Sequence, residues 1–215
     1  ARGPAGAIGL ADTARLLRIR GNAMQEAVPV GEGAMAALLG LELEQVIEIV
    51  RKAAQGEVCD PANDNGGGQV VISGHRAAVE RAISLAQAKG AKRAIMLTVS
   101  APFYCALMAP AAEVMREALA KVAIQAPATP LMANVTASPV TVPEAIREGL
   151  VRQVTGTVRW RESVAAMSGA GVTSFFEIGA GKVLIGLVKR IASGTSAIAV
   201  GTPEDVASAK AALRS

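Results

Sequence analysis

Between residues 34 and 99 the spacing of the apolar residues switches repeatedly between strand and helix periods, and this alternation constrains the fold more than any other feature. Ala34–Leu39 is a strand-like apolar run. Leu43–Ala54 places Leu43, Val46, Ile47 and Val50 at helical spacing. Two short strand patterns follow, Glu57–Pro61 and Gln69–Ser73, with Asn63-Asp64-Asn65-Gly66-Gly67-Gly68 as turn chemistry between them. Arg76–Lys89 is helical, with Val79, Ile83, Leu85 and Ala86 apolar and Gly90 as its stop. Arg93–Val99 is a fourth strand pattern. The order β-α-β-β-α-β is the ferredoxin-like one, and it reads as a subdomain over residues 28–100 inserted between 1–27 and 101–215.

The flanking segments alternate too. Asp12 is a good N-cap for a helix from Thr13 to Ala27, with Leu16, Leu17, Ala23, Met24 and Ala27 as its apolar stripe. Arg20 lies inside that stripe, at helical spacing from Leu16 and Met24. A guanidinium cannot lose its charge, so on such a face it needs an anion opposite or a route back to water. It is either a structural ion pair or a bidentate clamp on a substrate carboxylate. Beyond the subdomain, helices are expected at Ala111–Val122, Pro143–Gln153, Arg159–Ser168, Lys182–Ala192 and from Pro203, with strands at Leu131–Val135, Ser174–Ile178 and Ala197–Val200. Strands alternating with helices argue a parallel sheet covered on its faces, so the class is α/β. Pro102 ends the fourth strand pattern, which leaves Phe103, Tyr104 and Cys105 where a strand hands over to a helix. Ligands in open α/β folds bind at such junctions. The chain holds one Tyr, one Trp and three Phe, so an adjacent aromatic pair there stands out.

Composition narrows the chemistry. Charged residues make up 19% of the 215 residues and apolar ones 51%, which specifies a globular chain. No apolar run reaches membrane-spanning length and no signal-like stretch opens the chain. The net charge of +4 comes from scattered basic residues, and with 2% aromatics no nucleic-acid footprint emerges. An anionic small ligand or an acidic protein partner fits the charge better. Cys59 and Cys105 are too few for a disulfide scaffold or zinc site and fit reduced cytosolic thiols. His75, the single histidine, has no ligand-spaced neighbours and reads as solvated or capping. The triple glycine lacks the helix start of a phosphate loop, so it reads as a hairpin turn. Ile178-Gly179-Ala180-Gly181-Lys182-Val183-Leu184 resembles such a loop only superficially. No Gly-x-Ser-x-Gly elbow occurs, and a Ser-His-Asp set cannot be assembled.

Several stretches carry a resemblance in order along the chain: Arg20-Gly21-Asn22-Ala23-Met24-Gln25-Glu26-Ala27, Gly33-Ala34-Met35-Ala36-Ala37, Asn63-Asp64-Asn65 with Gly68-Gln69-Val70-Val71-Ile72-Ser73-Gly74, Val99-Ser100-Ala101-Pro102-Phe103, Cys105-Ala106-Leu107-Met108, Leu150-Val151-Arg152-Gln153 and Gly179-Ala180-Gly181-Lys182-Val183-Leu184. Together they resemble the bacterial malonyl-CoA:acyl carrier protein transacylase family. The resemblance implies an α/β-hydrolase-like parallel-sheet domain, incomplete at its N-terminus, interrupted by the ferredoxin-like subdomain. It implies that a serine takes malonyl from malonyl-CoA and passes it to the phosphopantetheine thiol of acyl carrier protein in fatty acid biosynthesis, with no cofactor beyond the thioester substrate. On the matching positions, Arg20 holds the malonyl carboxylate, Met24 and Phe103 complete the substrate-binding set, and the backbone carbonyl of Gln153 orients the catalytic base. Two departures accompany the match. The family's elbow serine is expected upstream of Ala1, and its histidine base falls on Tyr104. Tyrosine, with an ordinary pKa of about 10, is a poor base near neutrality, so the chain as given is expected to be inactive. Alternatives are a non-catalytic relative that binds acyl carrier protein or coenzyme A thioesters, and a fragment of a polyketide acyltransferase domain. A cytoplasmic monomer that binds neither nucleic acid nor membrane is expected.

Overall fold

The structure, a computed structural model, describes residue 3 and residues 5–213. The chain forms two compact units, Ala1–Trp160 and Arg161–Ser215.

In the first unit, helix α1 spans Leu10–Glu26 and buries Leu16, Ala23 and Met24. It starts earlier than the sequence predicts. Gly9 occupies the N-cap position without a side-chain cap, and Asp12 lies in the first turn, where it pairs with Arg15 at 3.1 Å. Leu17 turns to solvent, 63% exposed, because it is one step off the Leu16–Met24 line.

The ferredoxin-like order is present: β1 Gly33–Leu39, α2 Leu43–Ala54, β2 Cys59–Asp64, β3 Gln69–His75, α3 Arg76–Ala88 and β4 Arg93–Met96. The sheet runs β4-β1-β3-β2, its neighbours antiparallel, and a short later strand, β7 (Val158–Arg159), adds parallel to β2. The strand period of two separates its faces. Ala34, Ala36, Leu38, Val70 and Ile72 pack with Val46, Ile49, Val50 and Ala53 of α2 and Ala78, Val79, Ala82 and Ala86 of α3. Met35, Ala62 and Val71 point the other way and meet Leu97, Phe103 and Tyr104. Arg81 ties the helices together by donating to the carbonyls of Ala53 and Ala54 at the open end of α2, and to Glu57 at 2.6 Å. The β2–β3 turn is the glycine hairpin the sequence predicts. Gly66, Gly67 and Gly68 all have positive φ, and the Asp64 carboxylate accepts the Gly66 N–H at 3.2 Å. β2 runs further than expected, through Asp64, because a bulge between Pro61 and Asn63 accommodates the proline. His75 closes β3, and its Nδ1 accepts the Val58 N–H at 2.9 Å.

After β4 the chain makes a 3₁₀ turn, Ala106–Met108, and enters α4, Ala109–Ala120. α4 packs Ala111, Ala112, Met115 and Leu119 into one core with Leu16, Ala23 and Met24 of α1 and Ile146, Val151 and Val154 of α5, Pro143–Thr155. The expected strand at Leu131–Val135 is shorter, β5 Leu131–Ala133, and it folds back onto β6, Ser138–Val140.

The second unit carries most of α6 (Trp160–Gly169), then β8 Ser174–Ile178, α7 Val183–Ile191, β9 Ser196–Val200 and α8 Pro203–Ala212. β8 and β9 are parallel, as a strand-helix-strand connection requires. Thr202 caps α8 by accepting the Asp205 N–H. The class is α/β, as expected, with the parallel pair in this unit and a largely antiparallel sheet in the first.

One contact sets where the loop after β4 lies. A Cβ on Gly33 would come 2.3 Å from the Pro102 ring. Gly33→Ala is therefore expected to lower stability by about 1–3 kcal/mol through overpacking, measured by urea unfolding. A change within error would show that the Pro102 loop is free to shift.

Candidate functional site

The loop between β4 and α4 is tied down residue by residue. The Leu97 N–H donates to the Met35 carbonyl at 2.9 Å, and the Ser100 hydroxyl accepts from Gln25 Nε2 at 2.6 Å. Ala101 and Pro102 are buried, Pro102 against Gly33. The Cys105 thiol donates back to the Pro102 carbonyl at 3.1 Å. From β2, the Asp60 carboxylate accepts the Ala106 N–H at 3.0 Å and so caps the 3₁₀ turn. Between these restraints Tyr104 takes a left-handed conformation, φ +59°. A bulky residue stays in that region only where its surroundings over-determine it, and such positions gather at functional sites.

Arg20 comes to this loop from α1. Its guanidinium carbon lies 5.9 Å from the centre of the Tyr104 ring, and the Phe103 ring sits 6.4 Å from Tyr104 on a tilted plane. Among the described residues no carboxylate lies within ion-pair distance of Arg20. Tyr104 also lines an open cleft of about 490 Å³ with Asp60, Ala106, Thr155, Gly156 and Thr157. The end of α5 thus reaches the cleft, with Gln153 in its last turn, where helix carbonyls lack intrahelical partners. The Gln153 side chain is engaged separately, donating to the Gly156 carbonyl at 3.0 Å. Phe103 is half-buried between two clusters. Met24, which the resemblance implies for substrate contact, is 3% exposed within the α1–α4–α5 core.

The remaining candidates lie elsewhere in function. The glycine turn after β8 is closed by the chain itself. The Glu177 carboxylate accepts the Leu184 and Ile185 N–H groups at 3.1 and 2.9 Å, filling the helix start where a phosphate would sit. Cys105 is fully buried, and that burial raises its thiol above the ordinary value, so it is a packed group and no nucleophile. Burial likewise pushes Cys59 from 9.0 to about 12. Among the described residues no metal-holding group of His, Cys, Asp and Glu occurs, and no helix is long and apolar enough to cross a membrane. Asp60 and Gly33, which fix the loop, carry no signal in the sequence that separates them from other strand residues.

The acyl transferase domain family matches residues 1–207. The malonyl CoA-acyl carrier protein transacylase of Escherichia coli (strain K12) is 48% identical over 205 residues, covering 95% of this chain and 66% of the relative. The chain belongs to the malonyl-CoA:acyl carrier protein transacylases of the acyl transferase domain family. An acyl-carrier-protein-S-malonyltransferase structure from Bartonella henselae superposes with a TM-score of 0.97 at 55% identity, covering 100% of this chain and 68% of that one. A type II PKS acyl-carrier protein in complex with its malonyl-transacylase gives a TM-score of 0.94 at 44% identity, over 97% of this chain and 68% of that one. The chain therefore spans about two thirds of the length of these transacylases.

The buried thiols give a pH signature. Between pH 9 and 12 the unfolded chain releases the Cys59 proton while the folded chain keeps it, so the native state binds more protons and stability falls as pH rises. Cys59→Ala is expected to flatten that decline, seen in urea unfolding free energies at about pH 8 and pH 10.5. An unchanged slope would mean that Cys59 ionises in the native state.

Proposed function

We propose that this chain forms the malonyl-recognising part of a malonyl-CoA:acyl carrier protein transacylase, with acyl carrier protein as partner and the coenzyme A thioester as substrate. The observation that supports it most directly is the meeting of Arg20 with residue 104 at 5.9 Å. These are the two positions at which the family resemblance places the carboxylate clamp and the base, and they come from segments far apart in the chain. Arg20 offers a planar fork suited to a carboxylate, and no protein carboxylate among the described residues competes for it. Phe103, half-buried beside Tyr104, narrows the space around an unbranched acyl group.

In the transfer the elbow serine oxygen bonds to the malonyl carbonyl carbon, and the carbon–sulfur bond breaks to release coenzyme A as its thiol. The phosphopantetheine thiol of the carrier then attacks the serine ester and takes the malonyl group, and the serine regains its proton. These 215 residues contain no Gly-x-Ser-x-Gly elbow. Tyr104 stands where the family's base would take the serine proton, and a phenol O–H offers no ring nitrogen for that step. Arg20 recognises the substrate whether or not a base stands beside it, and Gln153, in the last turn of α5, would orient a base only where residue 104 is one.

Joined to the part of the Escherichia coli relative that lies outside the match, the chain with Tyr104→His is expected to transfer malonyl at least about 100-fold faster than the same fusion with Tyr104, the scale of general-base assistance. Arg20→Ala in the faster fusion should depress malonyl transfer far more than acetyl transfer. Equal rates with Tyr104 and Tyr104→His would remove the base position from residue 104. No transfer by either fusion would sink the transacylase reading.

A further inference from the structure

The Tyr104 ring does something the family's base position does not require: it lies against the charged end of Arg20. We propose that Tyr104 is a positioning residue for Arg20, holding the guanidinium on its ring so that the guanidinium edge is presented to the carboxylate of a malonyl-type thioester. This inference rests on the malonyl-recognition reading above and assigns a new role within that site.

Four observations carry it. Arg20 sits on α1 at helical spacing between buried Leu16 and Met24 and is itself partly buried. Among the described residues no carboxylate lies within ion-pair distance of it. Its guanidinium carbon lies 5.9 Å from the Tyr104 ring centre, inside the range of a cation–π contact. The ring is itself packed on its sheet side. The backbone beneath it is left-handed, Phe103 tilts against it at 57°, and Met35, Ala62 and Val71 of the sheet pack with both rings.

The chemistry of arginine makes stacking and anion binding compatible. A guanidinium meets an aromatic ring with its face, while its five N–H donors point outward in the plane. An ion pair with a protein carboxylate would consume those donors; a ring leaves them free for a bidentate substrate contact. A free arginine side chain also loses much rotamer freedom on binding, and a stacked one has already lost part of it. An aliphatic residue at 104 would give Arg20 neither the ring quadrupole nor a flat platform.

The test is calorimetric titration of the full chain with malonyl-CoA and acetyl-CoA, in parallel for the parent, Tyr104→Phe, Tyr104→Leu, Arg20→Lys and Arg20→Gln. The parent is expected to prefer malonyl-CoA, and Arg20→Gln to abolish the preference. Tyr104→Phe keeps the platform and should stay within about threefold of the parent. Tyr104→Leu should weaken malonyl-CoA binding about 3- to 30-fold more than acetyl-CoA binding, the span of a cation–π contact. Arg20→Lys keeps the charge but loses the planar fork, and should lose most of the preference even if the Leu variant misfolds. Tyr104 is the only tyrosine, so its ring resonances read the stack without ligand: they should move in Arg20→Gln. Full malonyl preference in a folded Tyr104→Leu, or in Arg20→Lys, overturns the positioning role and leaves the transacylase reading standing. A parent chain without malonyl preference overturns that reading, and the inference with it.

Discussion

The approach of the Pro102 ring to Gly33 is the contact on which the geometry of the site depends. A strand residue without a side chain lets a proline ring lie where a Cβ would stand, 2.3 Å from the ring carbon. Pro102 in turn offers its carbonyl to the Cys105 thiol, and Asp60 on the neighbouring strand caps the turn that follows. The loop is therefore held by β1 and β2 through packing and hydrogen bonds together. Loose loops seldom hold a large side chain at positive φ, since the cost of about 1–3 kcal/mol has to be offset by surrounding contacts. Here those contacts are present on both sides of Tyr104.

The two faces of the sheet divide the labour. The face with Ala34, Ala36 and Leu38 is covered by α2 and α3 and supplies much of the burial in this unit. Many of its residues are alanines, so the helices can lie close to the strands. The opposite face, with Met35 and Val71, receives the loop and its two aromatic rings. A one-residue slip of β1 would exchange the faces and remove the seat of Tyr104. The site is thus a consequence of strand register, and the register is fixed by the larger core on the far face.

The fold was legible where apolar periodicity is strong. α2 and the β-α-β-β-α-β order emerge with little error, since Val46 and Val50 recur at helical spacing and β1 is a short, continuous apolar run. Ends were less legible. The start of α1 escaped because Gly9 gives no side-chain cap while Asp12 resembles one, and β6 escaped because a strand of three residues carries no period. In the site, Arg20 could be found because a permanent charge inside an apolar stripe is a conflict that sequence alone displays. Asp60 and Gly33 could not, because their roles are contacts with residues far along the chain, and nothing local distinguishes a strand Asp that caps a distant turn from one facing water.

The same division explains how a tyrosine can occupy the position to which the family resemblance assigns the base without disturbing the scaffold. The restraints on residue 104 act on its backbone and on its neighbours: Pro102, Cys105 and Ala106 make the contacts that shape the turn, and none uses the side chain of residue 104. The frame is indifferent to whether that side chain is an imidazole or a phenol. The chemistry is not. A phenol cannot act as an imidazole does near neutrality, but it carries the larger ring, and the Arg20 guanidinium carbon lies 5.9 Å from the centre of that ring. On the reading proposed above, residue 104 serves the guanidinium as a surface and not as a proton acceptor, so substrate recognition and proton transfer rest on separable physical requirements.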